Sequence, residues 1–202
     1  METERKSWSS REHRVTVVLD AAADMFYARG VHEVGMDELI ARTGLGKATV
    51  YRLFPTKAEL IGAYLTRLSE SILSQIDSDV AQSDPAGVLL RIVDAVDDDL
   101  RRATFRGCPF NNASIEFSDT NHPARAAARA YREQLARRLT TLSKALAGEA
   151  EGGAIGAQLA TLIDGAYTNA AHLGPDGPAA HGLDLARQLV HHARSVADRS
   201  PS

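Results

Sequence analysis

Cysteine is almost absent from this chain, and no long hydrophobic run occurs in it. The single cysteine, Cys108, has no partner for an internal disulfide, which fits a protein of the reducing cytoplasm. No apolar segment approaches the roughly 18 residues that a membrane-spanning helix needs. Because residues 1–6 are polar and no apolar segment follows them, the sequence predicts neither a secretory signal nor a membrane partner.

The motifs of common enzyme classes are also missing. The chain has no Gly-x-Ser-x-Gly nucleophile elbow, no Walker loop, no dinucleotide-binding glycine pattern and no cluster of metal ligands. Four histidines invite a metal-binding interpretation, but their spacing over a loop and a helix matches no known ligand set: His172, His181, His191 and His192. We therefore predict that the protein is not an enzyme, with no catalytic residue, no metal and no cofactor.

Acidic residues are missing from one particular stretch. The whole chain has 23 lysines and arginines against 26 aspartates and glutamates, a formal net charge of -3. Between Leu39 and Ala58, however, the charged residues are all basic: Arg42, Lys47, Arg52 and Lys57. A small basic patch on an otherwise acidic protein favours a local contact with phosphate groups.

The same stretch has the pattern of two short helices separated by a glycine turn. A first helix ends at Arg29-Gly30, a second runs from about Met36 to Thr43, and a third from about Lys47 to Leu53. Gly44 allows the chain to reverse between the second and the third helix, as in a helix-turn-helix. Thr56 and Glu59 then form a capping-box sequence at the start of a long fourth helix.

The rest of the chain also has helical periodicity. Further helices are predicted over about 86–102, 109–117, 121–146, 155–173 and 181–197, with a loop at Glu151-Gly152-Gly153 and a turn over residues 174–178. The predicted fold class is therefore all-α with about nine helices. A three-helix helix-turn-helix domain at the amino terminus precedes a larger carboxy-terminal helical bundle.

The block from Gly30 to Lys57 carries a family resemblance. Its ending, Tyr51-Arg52-Leu53-Phe54-Pro55-Thr56-Lys57, contains a Tyr-x-x-Phe-x-x-Lys pattern that is the most specific part of the match. The block resembles the DNA-binding domain of TetR-type transcriptional regulators. The resemblance implies a flexible arm over residues 1–10, a DNA-binding domain over 11–56, a ligand-binding and dimerisation domain over 57–198 and a tail over 199–202.

The resemblance also implies which residues contact DNA. Lys47, Ala48, Thr49 and Arg52 would face base edges or nearby phosphates, and Tyr51 and Lys57 would hold phosphates. The full expected set is Arg42, Gly46, Lys47, Ala48, Thr49, Tyr51, Arg52 and Lys57. Glycine stands at positions 35 and 46, where many family members have a hydroxyl residue, so two hydroxyl groups of the family pattern are missing here.

In proteins of this resemblance a ligand pocket lies among the middle helices of the carboxy-terminal domain. Aromatic walls with a few polar anchors suit such a pocket, and the candidates are Phe105, Phe110, Asn111, Phe117, Tyr131, Asp164 and Tyr167. Asp164 lies in an otherwise apolar helix, where it either anchors a cationic ligand or faces solvent. Cys108 lies near Arg106, which would favour a thiolate, so it is either a redox sensor or a small packing residue.

The last two long helices have apolar stripes that are wider than one bundle neighbour requires. They could form a four-helix interface with a symmetry mate. The residues expected in this dimer interface are Leu159, Leu162, Ile163, Ala166, Leu185, Leu189 and Val190.

The resemblance implies a homodimeric repressor that binds a palindromic operator in double-stranded DNA and is released by a small-molecule effector. Two alternatives stay open. One is a helical protein-interaction adaptor that kept the fold and lost DNA binding. The other is a small-molecule-processing enzyme on the same fold.

Overall fold

The computed structural model describes residues 10–197, and every regular element in that range is helical. The helices are α1 (Ser10–Arg29), α2 (Met36–Thr43), α3 (Lys47–Leu53), α4 (Lys57–Val80), α5 (Pro85–Leu100), α6 (Pro109–Ser114), α7 (Pro123–Ala147), α8 (Glu149–Leu173) and α9 (Ala180–Ala197). A tight turn over Pro175–Ala179, with non-helical backbone at Gly177, joins α8 to α9. The predicted all-α fold is confirmed. The predicted tail, and the predicted arm except Ser10, lie outside the described residues.

Side-chain caps fix where the long helices begin. The Thr56 hydroxyl accepts a hydrogen bond from the Glu59 amide at 3.1 Å, and the Glu59 carboxylate accepts one from the Thr56 amide at 3.3 Å. The predicted capping box is therefore confirmed at the start of α4. The Asp84 carboxylate similarly accepts from the Gly87 amide at 2.8 Å and caps α5. None of the helices described is long and apolar enough to cross a membrane.

Helix α4 connects two apolar clusters. Its first turns contribute Leu60 and Tyr64 to a cluster with α1, α2, α3, α6 and the start of α7. Its last turns contribute Leu73 and Ile76 to a second cluster with α5, α7, α8 and α9. A displacement along α4 therefore acts on the packing of both clusters.

The loop predicted at Glu151-Gly152-Gly153 is wrong, because these residues lie inside α8. The chain reverses instead at Gly148, whose φ of 79° is a left-handed value that glycine adopts readily. Gly152 packs directly on α7: a Cβ atom at this position would lie 2.4 Å from the Lys144 Cα atom. Gly152, which the sequence pattern marks as part of a loop, instead permits a close crossing of α7 and α8.

Four residues of the predicted dimer interface are buried within the single chain. Leu159, Ile163, Ala166 and Val190 are at most 3% exposed in a single chain, where they fill the second apolar cluster. Side chains that are already covered by their own chain have no surface to offer to a partner. The three remaining residues of that prediction are at least partly exposed: Leu162, Leu185 and Leu189.

Candidate nucleic-acid interface and ligand cavity

Helices α2 and α3 pack against α1 through a small shared core. Leu39 and Ile40 of α2 and Val50 of α3 are all buried. Between the helices, Gly44 adopts a left-handed conformation with φ 68°. The Thr43 hydroxyl donates to the Ile40 carbonyl at 2.7 Å and accepts from the Leu45 amide at 3.1 Å. These two hydrogen bonds stabilise the turn. With Val50 inward, the opposite side of α3 faces outward.

The outward side of α3 carries the side chains that were predicted to read DNA. Lys47, Ala48, Tyr51 and Arg52 are exposed, and Thr49 is partly exposed. The Lys47 ammonium lies 6.0 Å from the centroid of the Tyr51 ring. An exposed helix face of this composition has the size and the donors to enter a major groove.

The basic residues of this region differ in how they are paired. No carboxylate within residues 10–197 pairs with Arg42 or Arg52, and both side chains are exposed. Lys47, in contrast, forms an ion pair with Asp37 of α2 at 2.7 Å, and this hydrogen bond raises the pKa of Lys47. The sequence reasoning missed Asp37, because the stretch without acidic residues was counted from Leu39.

Lys57 is turned towards the protein rather than fully outward. Its ammonium donates to the carbonyl of His32, in the loop between α1 and α2, at 3.4 Å. Partial burial lowers the pKa of Lys57. One of its three donors is therefore engaged, and its expected role as a phosphate ligand stays a prediction.

Gly35 and Gly46 occupy the cap positions of α2 and α3, with extended backbone and no side-chain cap. A Cβ atom at Gly35 would meet nothing within 4 Å, so the space for a hydroxyl residue exists although the residue is glycine. The first amides of α2 and α3 consequently have no side-chain partner from the cap residue.

Comparison with known proteins decides the family. The family model described as bacterial regulatory proteins, tetR family, matches residues 18–64, which span most of α1, all of α2 and α3, and the start of α4. The chain belongs to the TetR family of transcriptional regulators. It is therefore a DNA-binding regulator with a helix-turn-helix, and α3 is the second helix of that motif.

Individual TetR-family relatives resemble much of the chain. The HTH-type transcriptional repressor Rv3405c of Mycobacterium tuberculosis is 29% identical over 135 residues, which cover 67% of this chain and 70% of the relative. The HTH-type transcriptional activator FasR of Mycolicibacterium smegmatis is 38% identical over 66 residues, covering 33% of this chain and 30% of FasR. The crystal structure of SCO4454, a TetR-family regulator from Streptomyces coelicolor, superposes with a TM-score of 0.81 at 29% identity and covers 90% and 97% of the two chains.

A cavity of about 1030 Å³ opens among α1, α4, α5, α6, α7, α8 and the loop that follows α5. Five of the seven residues predicted to bind a ligand line it: Phe105, Phe110, Tyr131, Asp164 and Tyr167. Its size is typical of pockets for small organic ligands, and most of its lining is apolar. The ligand-binding role of these residues stays a prediction.

The other two predicted ligand residues do not line this cavity. The Asn111 side-chain oxygen accepts from Arg132 at 2.5 Å, which turns it towards α7. The Phe117 ring stacks on His122, with centroids 3.5 Å apart and planes at 10°. Asp164, which was expected either to anchor a cation or to face solvent, forms an ion pair with Arg132, and 45% of its side chain is exposed.

Helix α1 forms one wall of the cavity and is tied to the loop after α5. The Tyr27 hydroxyl accepts from the Arg106 amide at 2.9 Å and donates to the Gly107 carbonyl at 3.3 Å. The Arg106 guanidinium in turn donates to the backbone carbonyls of Tyr27 and Ala28, the last turn of α1. Neither residue was a candidate from the sequence, because 79 positions separate them and no local pattern links them.

A smaller cavity of about 260 Å³ lies between α1 and α6. It shares Tyr27, Tyr64, Arg106 and Pro109 with the larger one. These four residues therefore line both cavities, and Tyr27 belongs to α1. A molecule that occupies the larger cavity contacts the DNA-binding end of the protein directly.

The thiolate interpretation of Cys108 is contradicted. Cys108 is 8% exposed, and burial raises the pKa of its thiol. Arg106, which was expected to favour the thiolate, is directed at the carbonyls of α1 instead. Cys108 packs in the first apolar cluster as a neutral thiol. The four histidines considered as metal ligands are all exposed, and no metal-ligand cluster occurs in the described part of the chain.

Proposed function

We propose that this TetR-family regulator is a repressor that binds a palindromic operator as a homodimer and is released by a small-molecule effector. The observation that carries the proposal is the exposed face of α3, where Arg52 has no carboxylate partner among residues 10–197, in a chain whose large cavity reaches α1. The repressor name of Rv3405c supports the sign of regulation, whereas FasR is named an activator.

A ligand-responsive mechanism follows from the walls of the cavity. A molecule bound there contacts α1 and α4, and α4 packs in both apolar clusters. In the dimer, a shift of α4 changes the separation of the two α3 helices from the one DNA turn of roughly 34–36 Å that adjacent half-sites require. A related fold, FadR of Bacillus subtilis, was solved in complex with stearoyl-CoA, at 12% identity and a TM-score of 0.66.

We assign the helix-turn-helix DNA-binding domain to residues 11–56, and the ligand-binding and dimerisation domain to residues 57–198. Arg42, Gly46, Lys47, Ala48, Thr49, Tyr51, Arg52 and Lys57 are the proposed DNA contacts. We place the protein in the cytoplasm, where its operator is. The effector must bind the free dimer more tightly than the operator-bound dimer, because coupling between two sites is reciprocal.

The proposed dimer uses the outward faces of α8 and α9. Leu185 is 47% exposed, and Leu162 and Leu189 are partly exposed. Gly165 lies one helical turn after Leu162, and a Cβ atom there would meet nothing within 4 Å in the single chain. Glycine inside a helix costs roughly 1 kcal/mol relative to alanine, so a gain elsewhere is expected, such as close approach of a partner helix.

We expect Gly165→Leu to weaken the dimer by at least about tenfold, because the added side chain would hold the two subunits apart. The chain itself has room for the side chain, so the helix content by circular dichroism should not fall. Sedimentation equilibrium gives the dissociation constant of the dimer, and Ala145→Leu on the exposed side of α7 is the control. Equal dissociation constants for the two variants would place the interface elsewhere.

Selection from a pool of randomised DNA duplexes tests the proposed function. Purified protein should enrich a palindrome, and its affinity should fall steeply with salt because phosphates are neutralised. Weak binding without sequence preference would instead favour the protein-interaction adaptor. Enrichment of a single asymmetric half-site would contradict the homodimeric operator complex.

A further inference from the structure

The charged side chains that line the large cavity are almost all paired within the protein. The Asp99 carboxylate accepts from Arg102 at 2.7 Å and from the Tyr167 hydroxyl at 2.8 Å. Asp164 pairs with Arg132, and Asp79 lies 3.6 Å from Arg91. Each of these carboxylates therefore already faces a cation of the protein.

The same holds for the cations of the lining. Arg91 and Arg102 are in the pairs just described, and Arg106 donates to the last carbonyls of α1. Among the described lining residues, Asp24 is the one ionisable carboxylate without a partner, and it is exposed to solvent on α1. Arg106 has no carboxylate partner, but its guanidinium is engaged by the carbonyls of α1. An anion would therefore meet one cation that already donates hydrogen bonds, and a cation would meet the solvent-exposed Asp24, so neither charge is compensated well for its lost hydration.

Two tyrosine hydroxyls in the lining, in contrast, have no hydrogen-bond partner in the described range. Neither Tyr64 nor Tyr131 makes a side-chain hydrogen bond to any residue in the described range, although both line the cavity. Tyr64 is only 5% exposed, and the Tyr131 ring stacks on Phe110 with centroids 3.8 Å apart. In the described range, the Ser143 hydroxyl is the polar side-chain atom that is fully enclosed and has no hydrogen-bond partner. The hydroxyls of Tyr64 and Tyr131 have no partner either, but they are not fully enclosed. Both must therefore reach open space in or beside the cavity.

These two hydroxyls are donors at neutral pH. Burial raises the pKa of Tyr64 to about 12 and raises the pKa of Tyr131 as well. Both groups therefore keep their proton and can donate it in a hydrogen bond. The same cavity is also lined by the apolar side chains of Leu68, Ile72 and Ile163.

We infer that the effector is an uncharged, largely apolar molecule with an acceptor oxygen of the carbonyl class, which accepts hydrogen bonds from Tyr64 and Tyr131. The inference rests on the proposed ligand-responsive function. Tyr64 lies on α4 and packs edge-on against Phe26 of α1, with ring centroids 6.0 Å apart. An acceptor held by Tyr64 is therefore coupled to the helix that leads into the helix-turn-helix.

Four naphthalene probes that differ in one substituent test the inference by titration with full-length protein. The neutral ketone is acetylnaphthalene, the apolar analogue is ethylnaphthalene, and the charged analogues are naphthoate and naphthylmethylammonium. We expect the ketone to bind most tightly of the four. Competition against the fluorescent neutral naphthyl ketone Prodan gives each dissociation constant.

Variants then locate the acceptor. Tyr64→Phe and Tyr131→Phe each remove one donor without removing the ring, and each should weaken ketone binding roughly fivefold while leaving ethylnaphthalene unchanged. Ser74→Ala removes an exposed hydroxyl of α4 that does not line the cavity, so it is the control and should change neither affinity. If one cavity variant fails to fold by circular dichroism, the other still carries the test.

Three results would overturn the inference. The first is tighter binding of either charged probe than of the ketone. The second is equal binding of the ketone and ethylnaphthalene. The third is ketone binding that neither Tyr64→Phe nor Tyr131→Phe weakens. The titrations contain no DNA, so they are separate from the operator selection. If the protein enriches a palindrome but prefers a charged probe, this inference alone is wrong. If it prefers the ketone but enriches no operator, the proposed function alone is wrong.

Discussion

We expect Gly152→Ala to lower the free energy of unfolding by about 2–4 kcal/mol. The added Cβ atom would lie 2.4 Å from the Lys144 Cα atom and 2.5 Å from both the Lys144 nitrogen and the Ser143 carbonyl oxygen. These are backbone atoms of α7, and they cannot rotate away as a flexible side chain would. To relieve the overlap, α7 and α8 would have to separate, which opens the second apolar cluster.

The adjacent glycine supplies a matched control. A Cβ atom at Gly153 would meet only the Lys144 Cε atom, at 3.9 Å, which is an ordinary contact. Gly153→Ala should therefore be neutral or stabilise the protein by up to about 1 kcal/mol, because alanine favours the helix. Urea unfolding followed by circular dichroism measures both, at one protein concentration because dimerisation contributes to stability. Equal midpoints for the two variants would contradict the close crossing of α7 and α8.

The second large effect is expected at Arg52. Arg52→Ala should weaken operator binding by about thirtyfold or more, since an arginine contact with DNA contributes roughly 1–3 kcal/mol and the proposed dimer loses it twice. The side chain is exposed, and no carboxylate in the described part of the chain competes for it. Fluorescence anisotropy with the selected operator measures the loss.

Two further variants interpret that loss. Arg137→Ala removes an exposed arginine of α7, away from the helix-turn-helix, and should leave operator affinity unchanged. Arg52→Lys keeps the charge but not the planar fork, so it should retain most affinity if Arg52 contacts a phosphate and lose most of it if Arg52 reads a base. An Arg52→Ala affinity equal to that of Arg137→Ala would show that α3 does not carry the DNA contact in this protein.

Local chemistry explains what could be predicted from the sequence. The bounds of α2 and α3 follow from apolar spacing and from Gly44, and the start of α4 follows from Thr56 and Glu59. Each of these signals acts within one or two helical turns, so neighbouring residues are sufficient to specify it. The exposed face of α3 follows in the same way once Val50 is recognised as buried.

Contacts between distant segments could not be predicted. The Tyr27–Arg106 contact joins positions 79 apart, and Lys47 pairs with Asp37 only because α2 and α3 cross. The lining of the cavity comes from six helices and a loop, so a list of aromatic residues captures only part of it. No periodicity in the sequence encodes these distances.

The amino-acid sequence by itself determined α2 and α3, the capping box of α4 and the basic outward face of α3, because each depends on residues close together in the chain. The tertiary structure alone decided which apolar side chains were already covered. Helical spacing marked Leu159 and Leu185 alike, yet one is buried in its own chain and the other is 47% exposed. It likewise decided that Gly152 lies in a helix, because only packing against the α7 backbone gives a glycine an advantage there.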